Sequence, residues 1–329
     1  MPPVKIGNTM QTKYRYLFGP VPSRRFGQSL GVDLTPYKTC CHDCVFCQLG
    51  RTTNLTVERK EYVPTDAVLA ELKHWIASGG KADYITLSGS GEPTLHSGFG
   101  KILEFIRTST DIPSVLLTNG AMLYLPEVRE AASAASVVKI SLSAWNQASF
   151  EWVNRPPSQL HFNQVSYGQK TFRAQFNGRL FMEVFLIAGM NSMPDAVQKI
   201  AVLAKDIAPN HIQLNTAVRP PSADFVAPLS RERMSALTHL FQPEAEVIAE
   251  FNTSRQASIQ ANQDTVFAML QRRPCTAQQI ADGFGMHLNE ALKYLGALMR
   301  ADKIRAVSKS TAVDCVAVGW SRFSGFKRG

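Results

Sequence analysis

Cys40-Cys41-His42-Asp43-Cys44-Val45-Phe46-Cys47 places four of the six cysteines of the chain within eight residues. The other two, Cys275 and Cys315, lie far from this group and from each other in the sequence. Six cysteines in 329 residues are too few for a secreted domain that disulfides hold together. A tight group of cysteines in such a chain is typical of a site for a metal ion or a metal cluster.

The spacing within the group is Cys-x3-Cys-x2-Cys for Cys40, Cys44 and Cys47, with the aromatic Phe46 directly before the last cysteine. Thiolate is the usual protein ligand of iron–sulfur clusters, so these three residues can bind three irons of a cubane 4Fe–4S cluster. The fourth iron would then have no protein ligand. An open position of this kind is what reactive chemistry at a metal needs.

Three other interpretations of the cysteine group remain open. A structural zinc ion could use Cys40, Cys41, Cys44 and Cys47, although adjacent ligands strain the tetrahedral geometry that zinc prefers. Zinc motifs also usually combine two separated Cys-x2-Cys pairs. A pair of disulfides disagrees with the low cysteine content of the chain. Chance clustering is the third interpretation, and the spacing favours the cluster over all three.

The composition is that of a globular protein with a full hydrophobic core, with 45% hydrophobic and 19% charged residues. No run approaches the ~18 apolar residues of a membrane span. The first residues, Met1-Pro2-Pro3-Val4-Lys5, lack the apolar core of a signal peptide. We therefore expect a cytoplasmic protein with no membrane partner, made of one large domain or of one large and one small domain.

Short apolar or β-branched runs predict six buried strands, and helical patterns separate most of them. One predicted helix is Thr65 to Ala77 after Pro64, and another is Asp195 to Ile207 after Pro194. This alternation predicts an α/β fold with a parallel sheet, and six units predict a partial (β/α)6 TIM-like barrel. The predicted strands are 29–34, 84–87, 114–117, 137–142, 180–187 and 211–214.

A polar, reactive or turn-forming segment follows each predicted strand. In a parallel β/α barrel the functional site lies at the carboxyl ends of the strands, so these segments predict one shared site. We expect the cofactor pocket to be built wholly from the strand ends of residues 29–221. The segments are the cysteine group, 88–93, 118–120, 143–145, 189–191 and 215–216.

The sequence pattern changes near residue 251. Polar residues 251–261 predict a linker between a barrel domain at 1–250 and a small domain at 262–329. In the small domain, three short helices followed by two strands that can pair predict a winged helix, a variant of the helix-turn-helix. Thr276, with Gln279 three residues later, predicts a capping box at the second of these helices.

The small domain also carries more than half of the net charge. It has 10 basic and 5 acidic residues, a difference of +5, whereas the whole chain has +9. A basic winged helix allows an RNA or peptide partner, although the fold alone does not require one. Lys303, Arg305 and Lys309 on the predicted wing are the best-placed side chains for phosphate contacts.

The motifs together resemble the radical S-adenosylmethionine (radical SAM) superfamily. The cysteine group follows the first predicted strand, as it does in that superfamily. Ser90-Gly91-Glu92-Pro93 resembles the glycine-glycine-glutamate-proline motif of the superfamily, with Ser90 in place of the first glycine. The segments that resemble a branch of iron–sulfur oxidoreductases near the wyosine-base synthases of transfer RNA are 19–25, 88–95, 154–156 and 214–221.

The resemblance implies two cofactors and an external partner. Cys40, Cys44 and Cys47 would bind a 4Fe–4S cluster, whose remaining iron would chelate S-adenosylmethionine. One electron from a flavodoxin-type or ferredoxin-type reductant would cleave S-adenosylmethionine to methionine and a 5′-deoxyadenosyl radical. That radical would abstract a hydrogen atom from the substrate, while the protein orients the reactants and sets the cluster potential.

The resemblance also implies roles for residues around S-adenosylmethionine. Phe46 and Gly189 would border the adenine, and Gly91, Glu92 and Pro93 would present a turn and backbone oxygens to the methionine ammonium. The residues that would contact its ribose or carboxylate are Asn119, Ser141, Ser143 and Arg155.

Three functions remain open at this point. The first is a radical SAM enzyme acting on an RNA or peptide that the winged helix helps to hold. The second is the same chemistry on a small molecule, with a structural winged helix. The third is a non-enzymatic iron–sulfur sensor that regulates transcription. A sensor would not need the Gly91-Glu92-Pro93 turn, so the sequence favours an enzyme. Glu183, inside the fifth predicted strand, predicts either a functional carboxylate or a buried ion pair.

Overall fold

The computed structural model describes residues 14–23, 26–218, 221–248, 262–272, 274–284, 286, 288–309 and 312–318. Its strands are β1 (Leu17–Ser23), β2 (Gly27–Val32), β3 (Thr39–Cys40), β4 (Asn54–Leu55), β5 (Tyr84–Leu87), β6 (Ser114–Leu117), β7 (Val137–Ser141), β8 (Arg179–Leu186), β9 (His211–Thr216), β10 (Glu246–Val247), β11 (Ile304–Lys309) and β12 (Ala312–Ala317). Its α-helices are α1 (Thr65–Ala77), α2 (Phe99–Ser109), α3 (Pro126–Ala132), α4 (Gln147–Asn154), α5 (Phe162–Gln175), α6 (Pro194–Ile207), α7 (Arg231–Ser235), α8 (Gln263–Arg272), α9 (Ala277–Phe284) and α10 (Leu288–Arg300).

The central sheet has the order β1-β2-β5-β6-β7-β8-β9-β10. The strands from β2 to β9 in this order are parallel to one another, which confirms the predicted set of six. β10 adds a short parallel strand beside β9, and β1 pairs antiparallel with β2. The sequence pattern does not predict β1, because Pro20 and Pro22 lower its strand propensity. An edge strand tolerates these prolines, since one of its sides needs no donors.

The two faces of the parallel strands differ in chemistry. On β7, Val138 and Ile140 are buried in the main apolar core that includes residues of α2 such as Phe99 and Ile102. Lys139, between the two apolar residues of β7, instead lines a cavity on the inner face of the sheet. The period of two along a strand therefore separates an apolar outer face from a partly polar interior.

An aromatic layer closes this interior at the amino ends of the strands. The Phe26 ring lies edge-on to Tyr84 and Phe181, with centroid distances of 5.3 and 5.9 Å. Val115 and Val137 complete this apolar layer. The interior is therefore accessible from the carboxyl ends of the strands, where the cysteine group lies.

Residues 262–318 form a second packed unit. Helices α8, α9 and α10 and the antiparallel pair β11–β12 share a core of their own. Thr276 and Gln279 form the predicted capping box, with both backbone-to-side-chain distances at 3.1 Å. Val21 of β1 packs against this core, so the second unit contacts the edge of the main sheet. The helices and the hairpin are confirmed, whereas the winged-helix classification stays a prediction and the linker 251–261 lies outside the described residues.

In the described part of the chain, none of the helices combines the length and the apolar character that crossing a bilayer requires.

Candidate functional site

The cysteine group lies on a loop that follows β2, and the structure fixes both ends of this loop. Thr39–Cys40 pairs as β3 with Asn54–Leu55 as β4. Asp43 is buried. Its Oδ1 accepts a 2.7 Å hydrogen bond from the Thr52 N–H, and its Oδ2 lies 2.7 Å from Nε of Arg51. These contacts tie the middle of the loop to its far end and hold the thiols in place.

Each of the three predicted cluster ligands has a nitrogen donor from another part of the loop or from another element. Asn154 Nδ2, at the end of α4, lies 3.3 Å from Cys44 Sγ, and Lys38 Nζ lies 3.1 Å from Cys47 Sγ. Asn119 Nδ2 is 3.7 Å from Cys40 Sγ. The same nitrogen is 3.2 Å from Cys41 Sγ. Such donors stabilise thiolates and orient them toward a metal.

Burial affects how the thiols ionise. Burial raises the pKa of the Cys44 thiol well above its ordinary value, and the sulfurs of Cys40 and Cys47 raise it further. Cys44 therefore carries a proton at neutral pH unless a bound cation displaces it. His42, between the cysteines, is kept neutral because burial lowers its pKa to about 3.

The loop after β5 approaches the cysteine loop closely. A Cβ atom on Gly91 would lie 1.8 Å from the backbone oxygen of Thr39, so only glycine fits there. Ser90, which stands where the resembled motif has glycine, donates from Oγ to Asp33 Oδ2 at 2.6 Å. Its carbonyl accepts a 2.7 Å hydrogen bond from the Lys38 N–H. The serine therefore joins the carboxyl end of β2 to this loop.

Glu92 uses its carboxylate within the protein. Its Oε1 accepts from the hydroxyls of Thr94 and Thr118, each at 2.6 Å, and its Oε2 accepts from the Asn119 N–H at 2.8 Å. Burial raises the pKa of Glu92, while these hydrogen bonds oppose the rise. The side chain thus links the carboxyl ends of β5 and β6.

Other predicted contacts to S-adenosylmethionine have partners within the protein. Ser143 Oγ accepts a 3.0 Å hydrogen bond from the Phe185 N–H. Arg155 ends α4 with a left-handed backbone, and its guanidinium lies over the Phe225 ring at 5.9 Å. Ser141 ends β7, Pro93 begins a buried 3₁₀ turn, and Gly189 occupies an open turn with φ of +74°. Ser141, Ser143, Pro93 and Gly189 lie at the carboxyl ends of strands or on the segments that follow them, whereas Arg155 follows α4.

A cavity of about 420 Å³ lies in the interior of the sheet, between these loops and the aromatic layer. Phe46, Cys47 and Gly91 line it at the cysteine loop. Phe46 stacks on Phe185 with a centroid distance of 4.1 Å, and this stack forms one wall. Of the predicted site residues, Phe46, Cys47 and Gly91 line the cavity, and the others do not.

Polar side chains line the deeper part of the cavity. Lys139 Nζ lies 2.6 Å from Glu183 Oε2, so the buried carboxylate predicted on β8 has a lysine partner on β7. Ser29 and Thr86 hydroxyls lie 2.6 Å apart on β2 and β5. Asn215, at the carboxyl end of β9, also lines the cavity. The sequence predictions do not include this polar layer, although the lysine within the apolar run Val137-Val138-Lys139-Ile140 is a signal for it.

The cavity also includes residues outside 29–221, the range from which we expect the cofactor pocket to be built. Phe18, Val21 and Pro22 of β1 line the cavity, and so does Met269 of α8. The reason is that β1 lies at the edge of the sheet, and α8 packs against it. The second unit therefore contributes directly to the cavity wall.

This arrangement agrees with the comparisons of the sequence with known proteins. Residues 34–163 match the Radical SAM superfamily. A UPF0026 protein of Methanocaldococcus jannaschii is 33% identical over 226 residues, which cover 68% of this chain and 70% of that protein. The chain is a radical SAM protein of the UPF0026 family. Proteins of this superfamily use a 4Fe–4S cluster and S-adenosylmethionine.

Two further similarities extend the comparison for this radical SAM protein. A protein of Brachyspira hyodysenteriae named GTPase Obg is 32% identical over 297 residues. These cover 89% of this chain but only 44% of that relative. A solved radical SAM methyltransferase of Sphaerobacter thermophilus has the same fold, with a TM-score of 0.51 and 18% identity. The alignment covers 70% of this chain and 68% of the methyltransferase.

The thiols of the radical SAM protein fit a cluster better than a single metal ion. Within the residues that the structure describes, no three His, Cys, Asp or Glu side chains converge to hold one ion. Zinc needs four ligands around one centre, whereas each cysteine of a cubane cluster binds a different iron. The donors to the three predicted ligand sulfurs also fit a cluster, because hydrogen bonds to sulfur are common around iron–sulfur sites.

Proposed function

We propose that the protein binds a 4Fe–4S cluster through Cys40, Cys44 and Cys47 and acts on a substrate held in the cavity beneath the cysteine loop. The cluster, with S-adenosylmethionine, would supply a 5′-deoxyadenosyl radical that abstracts a hydrogen atom. The observation that carries the proposal is the cavity itself, which extends from Cys47 to the pair Lys139–Glu183. A flavodoxin-type or ferredoxin-type protein in the cytoplasm would provide the electron.

The walls of the cavity suit radical chemistry because they limit access of water and of stray hydrogen donors. The aromatic layer around Phe26 closes the amino end of the sheet interior. Phe18 of β1 and Met269 of α8 cover its side. Excluding solvent is a general means of preventing side reactions of reactive intermediates.

The size and polarity of the cavity indicate what it holds. About 420 Å³ lies within the usual range of small-molecule pockets. The cavity would therefore take a metabolite or a single base or side chain of a larger substrate. Ser29, Thr86, Asn215 and the pair Lys139–Glu183 offer hydrogen bonds and both charges, so a polar group of the substrate would be directed toward them.

Replacing both members of the buried pair tests this role. The double variant Lys139→Met, Glu183→Gln removes both charges together, whereas removing one charge alone costs about 3–5 kcal/mol of stability. We expect substrate-stimulated formation of 5′-deoxyadenosine to fall more than tenfold, because the polar group loses its partners. Formation without substrate should change less than twofold. The assay adds anaerobic metabolite, peptide and RNA fractions separately to the reduced protein.

The matched control for the double variant is Lys170→Met, Asp206→Asn, which removes an exposed ion pair between α5 and α6. Surface pairs contribute little, so its stimulated activity should equal that of the wild type. Full stimulation in the cavity variant would exclude the substrate role of Lys139–Glu183.

A second candidate, docking of RNA by residues 262–329, has its own support. Arg305 on β11 and Arg300 on α10 are exposed. Lys303 places its Nζ 5.4 Å from the centre of the Phe267 ring, so its charge is held at the surface of this unit. The resemblance to the branch near the wyosine-base synthases of transfer RNA favours an RNA substrate over a peptide.

The salt dependence of RNA binding tests this docking surface. Each neutralised phosphate releases counterions, so the affinity should fall steeply as salt is raised. Replacing Lys303, Arg305 and Lys309 by glutamine should lower the slope of log affinity against log salt by about one for each lost contact. The exposed Lys170→Gln variant is the control. Binding that does not depend on salt, or no binding of RNA, would leave a structural role for this unit.

A further inference from the structure

We propose that Lys38 raises the reduction potential of the cluster through a charge-assisted N–H···S hydrogen bond to Cys47. The inference rests on the proposed cluster at Cys40, Cys44 and Cys47 and assigns a role to a residue outside the cysteine motif. Lys38 acts through a ligand of the cluster, so it is a positioning residue that tunes the cluster.

The ammonium of Lys38 is held at the cysteine loop. Its Nζ lies 3.1 Å from Cys47 Sγ, and the residue is only 3% exposed. Taking an ammonium out of water costs several kcal/mol unless a negative charge compensates it. The Cys47 sulfur lies within hydrogen-bond distance of this ammonium, so a ligand thiolate is the partner that compensates its charge.

The backbone of Lys38 gives an independent argument. Its φ of +55° lies in the left-handed region, which favours glycine or asparagine. Hydrogen bonds hold the backbone in this conformation. The Lys38 N–H donates to Ser90 O, and the Lys38 C=O accepts from the N–H groups of Thr53 and Asn54. If only the left-handed conformation of this turn mattered, glycine would be expected at this position. A lysine at this position indicates that the side chain is used.

Lys38 differs from the other described donors to the ligand sulfurs. Asn119 and Asn154 donate to Cys40 and Cys44 from neutral amides, whereas Lys38 brings a full positive charge to Cys47. When the cluster accepts one electron from the external reductant, its negative charge increases by one. A nearby cation stabilises the reduced state more than the oxidised state, so the potential rises. Lys38 thereby makes the cluster easier to reduce.

The first test is the Lys38→Met variant, which keeps an unbranched side chain without the charge. Iron and sulfide are measured first, so that a failure of the proposed cluster is separated from a failure of this inference. EPR-monitored redox titration should then show a lower midpoint potential. We expect the ratio of reduced to oxidised cluster at a fixed potential to fall about tenfold, which corresponds to about 59 mV for one electron.

Two controls separate the charge from the structure of the loop. Lys38→Arg keeps a cation and should retain most of the wild-type potential. Lys60→Met removes a lysine that pairs with Glu58 on the surface and should leave the potential unchanged. An unchanged potential in Lys38→Met with a full cluster would overturn the proposal, because a merely structural lysine would leave the potential as it is.

A direct measurement on the wild-type protein covers the case in which Lys38→Met does not retain its cluster. The protein is produced with lysine labelled with ¹⁵N at the ε position, and the reduced cluster is studied by HYSCORE spectroscopy. A hydrogen bond from Nζ to Cys47 Sγ should give a ¹⁵N coupling that unlabelled protein lacks. A fully reduced cluster without this coupling would show that the lysine does not contact it.

Discussion

Replacing Cys44 by alanine is expected to remove the 4Fe–4S cluster and to lower formation of 5′-deoxyadenosine at least 100-fold. Cys44 is partly buried near the other two ligands, and its Sγ accepts a hydrogen bond from Asn154 Nδ2 at 3.3 Å. Two remaining thiols cannot hold a cubane that needs three protein ligands. Iron and sulfide per chain, and 5′-deoxyadenosine formed with dithionite and S-adenosylmethionine, are measured on anaerobically reconstituted protein.

The neighbouring Cys41→Ala variant is the matched control. Cys41 is fully buried in the main core, and its sulfur contacts Asn119. Losing this sulfur should cost about 1 kcal/mol of stability and leave the iron content unchanged. Loss of the cluster in Cys41→Ala would refute the ligand assignment. Two clusters per chain would refute the assignment of a single cluster, and zinc in the anaerobically purified protein would refute the cluster itself.

The secondary structure could be predicted where a single segment contains the whole pattern of apolar and turn-forming residues that specifies it. The helix Thr65–Ala77 has the predicted bounds, because Pro64 ends the preceding extended segment and an apolar stripe follows. β1 could not be predicted in the same way. Its register is set by β2, and its prolines are tolerated only because it lies at an edge of the sheet. An edge is a property of the sheet and cannot be read from a single segment.

The same distinction between local patterns and contacts across the fold applies to the functional site. The ligand cysteines and the loop of Gly91 could be found because each motif is contiguous in the sequence. The pair Lys139–Glu183 spans 44 positions, and the contact of Met269 with the cavity joins two packed units. Such contacts arise only when the strands are in register. Glu92 has a structural role that its motif alone does not indicate, since its carboxylate joins the ends of two strands.

Lys38 shows that proximity in the sequence does not identify which cysteine a side chain contacts. It precedes Cys40 by two positions, yet its ammonium contacts Cys47. The left-handed turn at Lys38 and the hydrogen bond from its N–H to Ser90 determine this direction. Backbone hydrogen bonds thus connect the loop of Gly91 to the cysteine loop. A substitution in one loop should therefore change the conformation of the other.

Gly91→Ala is therefore expected to lower the affinity for S-adenosylmethionine and the formation of 5′-deoxyadenosine at least tenfold. The new Cβ would lie 1.8 Å from Thr39 O, and both partners belong to backbone segments. The N–H of the next residue, Glu92, donates to the same oxygen at 3.1 Å, so the two loops must separate and weaken this bond. Calorimetric titration of the reconstituted protein with S-adenosylmethionine measures the affinity.

The comparison with Gly79→Ala isolates the steric cause. Gly79, unlike Gly91, has a positive φ of +73°, and a Cβ there meets no atom within 4 Å. This control introduces backbone strain of about 1–3 kcal/mol without a clash. Both variants should therefore lose thermal stability, whereas only Gly91→Ala should lose affinity for S-adenosylmethionine. Equal affinities in the two variants would mean that the loop of Gly91 does not form the S-adenosylmethionine site, and that the close approach to Thr39 serves the fold alone.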